Sequence, residues 1–233
     1  YGKALWERKL MMTPAPIILM SGGPNSNNTT LIAEALALSK TEKPIIAYIG
    51  AASSDNKEFF SMLRRMLISA GTDKVTLAPI VQGFDRKKTE SILSSGDLIF
   101  ISGGDVKAGM EYLEKRNLVP FLRKLYESGK PFFGISAGAI MLCRNWIYWR
   151  NSADDSSAKS FPCLGFAPVL CDTHAEDEGW NELRTLLGLC PEGTIGYGIP
   201  AGGALQVTQN GAVTDIGSPA VRFIKKSADI IIV

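Results

Sequence analysis

Short apolar runs, each closed off by glycine or a polar cluster, alternate along this chain with longer segments of helical period, and that alternation leaves few folds open. A strand buried on both faces reads as a continuous apolar run, and two such strands in parallel need a crossover between them. The pattern therefore predicts an α/β fold with a mostly parallel central sheet and helices on both faces. Pro16 to Met20 and Pro44 to Ile49 read as the first two strands, with a helix from about Thr29 to Leu38 between them. After the loop Ala51 to Asn56, the spacing of Phe59, Leu63, Met66 and Leu67 gives one apolar helical stripe. Lys74 to Ile80, Asp97 to Ser102 and Pro131 to Ile135 follow as strands. The helical stretch between Gly104 and Ser128 contains Pro120, which has no place inside a helix. Two helices are expected there, with Pro120 in the first turn of the second.

Ala137 to Cys143 is the next helix, small and apolar enough to lie close on the sheet. In the last third, Leu164 to Cys171 and Thr194 to Ile199 read as strands around a helix from about Asp177 to Leu189. Asn210 and Gly211, between Ala204 to Thr208 and Ala212 to Ile216, signal a C-terminal antiparallel hairpin. Ala220 to Lys225 and Ile230 to Val233 add short edge runs, which leave room for pairing between two copies of the chain as a homodimer. With 233 residues, 45% of them hydrophobic, one sizeable core is expected. The expectation is a single domain over 15–233, preceded by residues 1–14 as an extension or a cloning remnant.

Charge excludes several classes of partner. Lys and Arg number 25 against 23 Asp and Glu, without long runs of one sign, so no footprint for nucleic acid or an anionic membrane surface emerges. No apolar run approaches the roughly 18 residues of a membrane span, and no signal-peptide pattern opens the chain. Cys143, Cys163, Cys171 and Cys190 show no CxxC spacing, and their expected state is the reduced thiol of a cytoplasmic protein, with no metal or redox role. The expected partner is a small peptide.

The chemistry concentrates at one turn. Gly134, Ile135, Ser136, Ala137 and Gly138 spell G-x-S-x-G between a predicted strand and a predicted helix, the context in which the motif marks a nucleophile elbow. There the serine occupies a strained bend with its hydroxyl outward, and only small neighbours leave room for it. The hydroxyl needs a base, and the chain has a single histidine, His174, just past a predicted strand end. Ser136 and His174 are thus the expected nucleophile and base of a hydrolase that needs no metal or organic cofactor. The expected oxyanion donors are the amide of Ala137, at the head of the helix, and that of Gly104, in the turn formed by Ser102, Gly103, Gly104 and Asp105. Asp172 stands two positions before His174, so a continuing strand would point both to one face. Asp172, Glu176, Asp155, Asp154 and Asp105 are candidates for an orienting acid or for the substrate pocket. Acids at a helix start, such as Glu176, Asp177 and Glu178, are also favoured by the helix dipole alone.

Several of these residues also resemble a known family. Gly103 and Gly104, the helix from Leu118 to Gly129 with its Leu-Val-Pro entry, Gly134 to Ala139 as G-x-S-A-G-A, and Asp172 to His174 are similar to the peptidase E and cyanophycinase family of serine peptidases. The closing segment Gly198 to Gly202, with Leu205, Gln206 and Val207, extends the resemblance. It implies a flavodoxin-like fold shared with class I glutamine amidotransferases, and hydrolysis of a small peptide or isopeptide through an acyl-enzyme. Amidotransferases carry cysteine at the elbow, so Ser136 argues against their chemistry. Four departures stand out. Where the family often has a glutamate this chain has Ala201, its downstream aspartate falls near Asn151, and cyanophycinase's glutamine after the Gly-Gly-Asp turn is Val106. The family's arginines after the histidine, suited to a substrate carboxylate, fall on Gly179 and Glu182, which argues against aspartyl specificity and leaves room for a positively charged substrate. Two other readings follow: a degenerate member that binds a peptide or small ligand without turnover, and an esterase of another α/β lineage. The short separation of Ser136 and His174 speaks against the esterase, whose fold places its acid between the two.

Overall fold

A computed structural model describes residues 13–23, 28–151 and 154–233, so most of the 1–14 extension lies outside the described residues. Its strands are β1 (Ile17–Met20), β2 (Ile45–Ile49), β3 (Lys74–Ala78), β4 (Leu98–Ile101), β5 (Phe132–Ile135), β6 (Asn145–Trp149), β7 (Ala158–Pro162), β8 (Leu170–Thr173), β9 (Ile195–Ile199), β10 (Gly203–Val207), β11 (Val213–Gly217), β12 (Val221–Lys226) and β13 (Asp229–Ile232). The helices are α1 (Asn28–Leu36), α2 (Lys57–Ser69), α3 (Arg86–Ser95), α4 (Val106–Lys115), α5 (Val119–Glu127), α6 (Ala137–Leu142) and α7 (Asn181–Gly188).

Seven strands form the central sheet in the order β11-β10-β1-β5-β4-β2-β3. The five from β1 to β3 in that order run parallel, and β10 and β11 close the sheet as the antiparallel hairpin signalled by Asn210 and Gly211. Alternation along each strand divides the core between the two faces. Ile18, Met20, Tyr48, Phe100 and Phe133 meet α1 and α2 through Leu31, Ile32, Leu63 and Leu67. Ile17, Leu19, Ile49, Ile101 and Phe132 face the other way, toward Leu93, Met110, Leu122 and the whole of α6. Pro120 lies in the first turn of α5, the place where its missing N–H costs nothing.

Four expectations are corrected. Leu164 to Cys171 is not one strand: only Leu170–Thr173 is extended. The amides of Leu164, Gly165, Phe166 and Ala167 instead bond the carbonyls of Met141, Leu142 and Cys143, satisfying the end of α6. The helix from Asp177 to Leu189 is a 3-10 turn over Glu176–Glu178, then Gly179 and Trp180 with φ of 64° and 61°, then α7. Two consecutive left-handed residues cannot lie inside an α-helix. Ala220 to Lys225 is not an edge run: β12 pairs on one side with β13 and on the other with β9, in a second sheet ordered β13-β12-β9-β8. The elements α3 and the antiparallel pair β6 and β7 stand where no element was expected.

Candidate active site

Ser136 joins β5 to α6 with φ 54° and ψ −127°, a backbone region that residues with a Cβ rarely enter. Both of its sides are pinned. Its amide donates to Met20 O at 2.9 Å, and its carbonyl accepts from the amides of Ala139 and Ile140. The two flanking glycines make the bend possible by their lack of bulk. A Cβ on Gly134 would lie 2.4 Å from Gly138 O, and one on Gly138 only 2.1 Å from Ile101 O. Gly103 passes beneath, where a Cβ would come within 3.2 Å of the Ser136 Cβ. The hydroxyl therefore emerges at the carboxyl ends of β4 and β5, where open α/β sheets gather ligands.

His174 reaches this point from the second sheet. Its amide still bonds Ile199 O at 2.9 Å, continuing the β8 to β9 pairing, after which a left-handed backbone at φ 44° turns the side chain away. The imidazole Nε2 lies 2.8 Å from Ser136 Oγ, although the residues are 38 apart in sequence. The ion pairs among the described residues are Arg86 with Glu90, Lys107 with Glu111 and Arg222 with Asp215. Among those residues, then, no carboxylate stands within 4.0 Å of the imidazole nitrogens.

The acids singled out from sequence divide by location. The strand ends at Thr173, so Asp172 and His174 do not share a face by simple alternation as the continuing strand would have required. Asp172 is buried, its Oδ1 accepts from the Thr173 amide at 2.7 Å, and its Oδ2 has no hydrogen-bond partner among the described residues. Burial pushes its carboxyl up to about 7, with Glu182 and Glu178 adding to the rise. Glu176 accepts from the Ala201 amide at 2.9 Å, tying the loop after β8 to the loop after β9. Asp105 caps α4 by accepting from the Ala108 amide at 2.8 Å. Asp154 closes a local turn with Ser156, and the Asp155 side chain lies outside the described residues.

Ser136, Ala137, Gly104, Asp172 and His174 all line one cavity of about 250 Å³. Val106, Ile140, Trp146, Glu178 and Glu182, from elements that the sequence did not bring together, line it as well. Trp146 belongs to the unforeseen β6, whose run of large hydrophobic residues Trp146, Ile147, Tyr148 and Trp149 was its only signal. Glu182 comes into place because Trp180 folds back over Gly198, where a Cβ would sit 2.6 Å from the indole ring. Among the described residues, no group of three or more acidic, histidine or cysteine side chains could hold a metal ion, and no helix is long and apolar enough to cross a membrane.

Three comparisons with known proteins bear on the family and the fold. The chain is 29% identical to peptidase E of Haemophilus influenzae Rd over 140 residues, which is 56% of this chain and 63% of that protein. With peptidase E of Pasteurella multocida Pm70 it shares 28% over 130 residues, 52% and 55% of the two chains. The aligned stretches thus span less than two thirds of these relatives. Among solved structures, a peptidase from an acI-B1 Actinobacterium superposes with a TM-score of 0.71, covering 96% of this chain and 95% of the other at 21% identity, a likeness of fold. The sequence profile of peptidase family S51 matches residues 17–214. On that match, supported by its peptidase E relatives, the chain belongs to peptidase family S51.

Proposed function

We propose that this chain is a serine-type peptidase that cleaves a small peptide through an acyl-enzyme. The observation that carries the reading is the 2.8 Å approach of Ser136 Oγ to His174 Nε2 on a strained bend between β5 and α6, a nucleophile elbow. For Nε2 to accept the serine proton, the imidazole carries its own proton on Nδ1. Ser136 Oγ then bonds the substrate carbonyl carbon while His174 takes the hydroxyl proton. The Ala137 amide, at the head of α6 where no earlier carbonyl can accept it, and the Gly104 amide hold the negative oxygen. As the C–N bond breaks, His174 returns the proton to the departing amine. Water repeats the sequence on the acyl-enzyme, giving its proton to His174 and releasing the acid. No metal or organic cofactor enters these steps.

A second reading, a member that binds a peptide without turning it over, draws on Ala201 and on the lack of a carboxylate beside the imidazole among the described residues. Loss of a triad acid typically lowers turnover about 10⁴-fold yet leaves measurable catalysis, which favours the enzyme. The two separate on labelling with a fluorophosphonate. Covalent labelling of the protein, lost in both Ser136→Ala and His174→Ala, is the expected result. A protein that takes up no label, or one whose Ser136→Ala variant labels equally, overturns the peptidase reading.

A further inference from the structure

The cavity beside Ser136 carries charge of one sign. Asp172, Glu178 and Glu182 line it, and no lysine or arginine among the described residues does. Val106, Ile140 and Trp146 line it as well and give it apolar surface. At about 250 Å³ the space falls below the roughly 300–1,000 Å³ of pockets for drug-sized ligands, and suits one long side chain. Gly104 and Ala137 line it too, so the side chain nearest to it belongs to the residue whose carbonyl those amides would hold.

Resting on the peptidase reading above, we propose that this cavity receives a basic side chain, lysine or arginine, on the acyl side of the bond cleaved. Its methylene stem lies along Val106, Ile140 and Trp146, as long cationic side chains cover apolar surface while their heads stay polar. Its charged head meets the carboxylates. Asp172 supplies the observation that singles out a cation rather than a merely acidic surface. The residue is 4% exposed, and Oδ2 meets no hydrogen-bond donor of ordinary geometry among the described residues. The Leu183 amide also acts on this carboxylate, as the smallest of the influences on its pKa. An unpaired buried carboxylate oxygen is costly, and an ammonium or guanidinium would supply the missing donor and the opposite charge together. Burial pushes Asp172 and Glu182 both upward in pKa, and Glu178 adds to each. A bound cation would reverse that tendency.

The α-ammonium of a peptide has the same charge as a lysine head, so the test separates the two. Aminoacyl p-nitroanilides carrying lysine, arginine, alanine or aspartate are compared, each with a free and an acetylated α-amine, so that the leaving group stays constant. The expected result is a kcat/KM for lysine and arginine at least tenfold above alanine and aspartate in both series. In Glu182→Gln the lysine-to-alanine ratio falls several-fold, and in Glu182→Arg the preference moves toward aspartate. Equal or greater activity on aspartate in the wild-type protein overturns the proposal. So does a cationic preference that disappears on acetylation, which assigns the carboxylates to the α-ammonium instead. Fluorophosphonate labelling of the same preparation keeps the two readings apart. A protein that labels but shows no basic preference overturns this proposal alone, whereas one that does not label overturns the peptidase reading and the proposal with it.

Discussion

The carboxylate of Glu176 accepts a hydrogen bond from the Ala201 amide at 2.9 Å, and through it the loop that carries His174 is fastened to the loop that follows β9. Gly23 lies against both: a Cβ on it would be 3.4 Å from the Cβ atoms of Ala201 and of His174. Loops from β1, β8 and β9 thus converge behind the imidazole. Glu176 is exposed, so the bond contributes about 1 kcal/mol to stability, at the low end for a charged acceptor. Its larger effect is on position. Glu176→Ala is expected to slow fluorophosphonate labelling of Ser136 about three- to tenfold with little change in Tm, while Glu176→Gln, which keeps an acceptor oxygen, recovers most of the rate. An unchanged labelling rate in Glu176→Ala would show that this fastening does not place the imidazole.

The elbow's glycines and a glycine elsewhere should answer to substitution in opposite ways. A Cβ at position 138 would lie 2.1 Å from the Ile101 carbonyl oxygen, a backbone atom that cannot turn aside. Gly138→Ala is therefore expected to cost about 3 kcal/mol or more, the upper range for forced overpacking. Gly188, at the end of α7, has nothing within 4 Å of its Cβ position and no positive φ. Gly188→Ala should stabilise the fold by about 0.4–1 kcal/mol, chiefly by restricting the unfolded chain. Urea unfolding of both variants against the wild type measures the contrast, and a neutral Gly138→Ala would mean that α6 can lift off the sheet.

Strands β1, β2, β4 and β5 were legible because burial on both faces writes an unbroken apolar run, as in Ile17–Met20 and Leu98–Ile101, every residue of which is buried. The helix α3 was not, since only Thr89 and Leu93 of its ten residues are buried and no stripe results. The pair β6 and β7 escaped for a similar reason: Lys159 and Ser160 point to solvent, and Pro162 ends the strand. Conversely, Leu164, Phe166 and Ala167 are buried without being a strand, because their amides serve the end of α6. At the site, motif and scarcity were enough to bring Ser136 and His174 together on paper. The convergence of Asp172, Glu178 and Glu182 was not readable, because it depends on the left-handed pair Gly179 and Trp180 turning α7 back toward β8.

Asp172 should leave a mark on the pH dependence of stability. Its carboxyl is pushed up to about 7 by burial from an ordinary value of 3.8, so between those limits the folded protein holds a proton that the unfolded chain has released. Stability then falls as pH rises from about 4 to 7 and levels off above, a decline worth a few kcal/mol if this group acted alone. Asp172→Asn removes the ionisation while keeping the shape. The variant is expected to lose much of that slope and to exceed the wild type in Tm at pH 8, with Glu182, also raised by burial, accounting for the remainder. Parallel Tm profiles for the two proteins across this range would show that Asp172 is already ionised when folded.

The thiols offer a last check on the packing behind the site. Cys171 immediately precedes Asp172, and its Sγ lies 3.3 Å from that of Cys143, well beyond the roughly 2.05 Å of a disulfide. Both residues are fully buried and all four cysteines are free. The hydrogen bond to Cys143 and then burial raise the Cys171 thiol well above its usual range, and burial likewise raises Cys163 and Cys190. Thiols held protonated are poor nucleophiles. Titration of the native protein with Ellman's reagent at pH 8 is therefore expected to detect only the half-buried Cys163 and Cys190, and those slowly, whereas unfolding in guanidinium releases four. Rapid reaction of all four in the native protein would mean that α6, which carries Ser136 at its head and Cys143 at its foot, is not held against β8 as the structure has it.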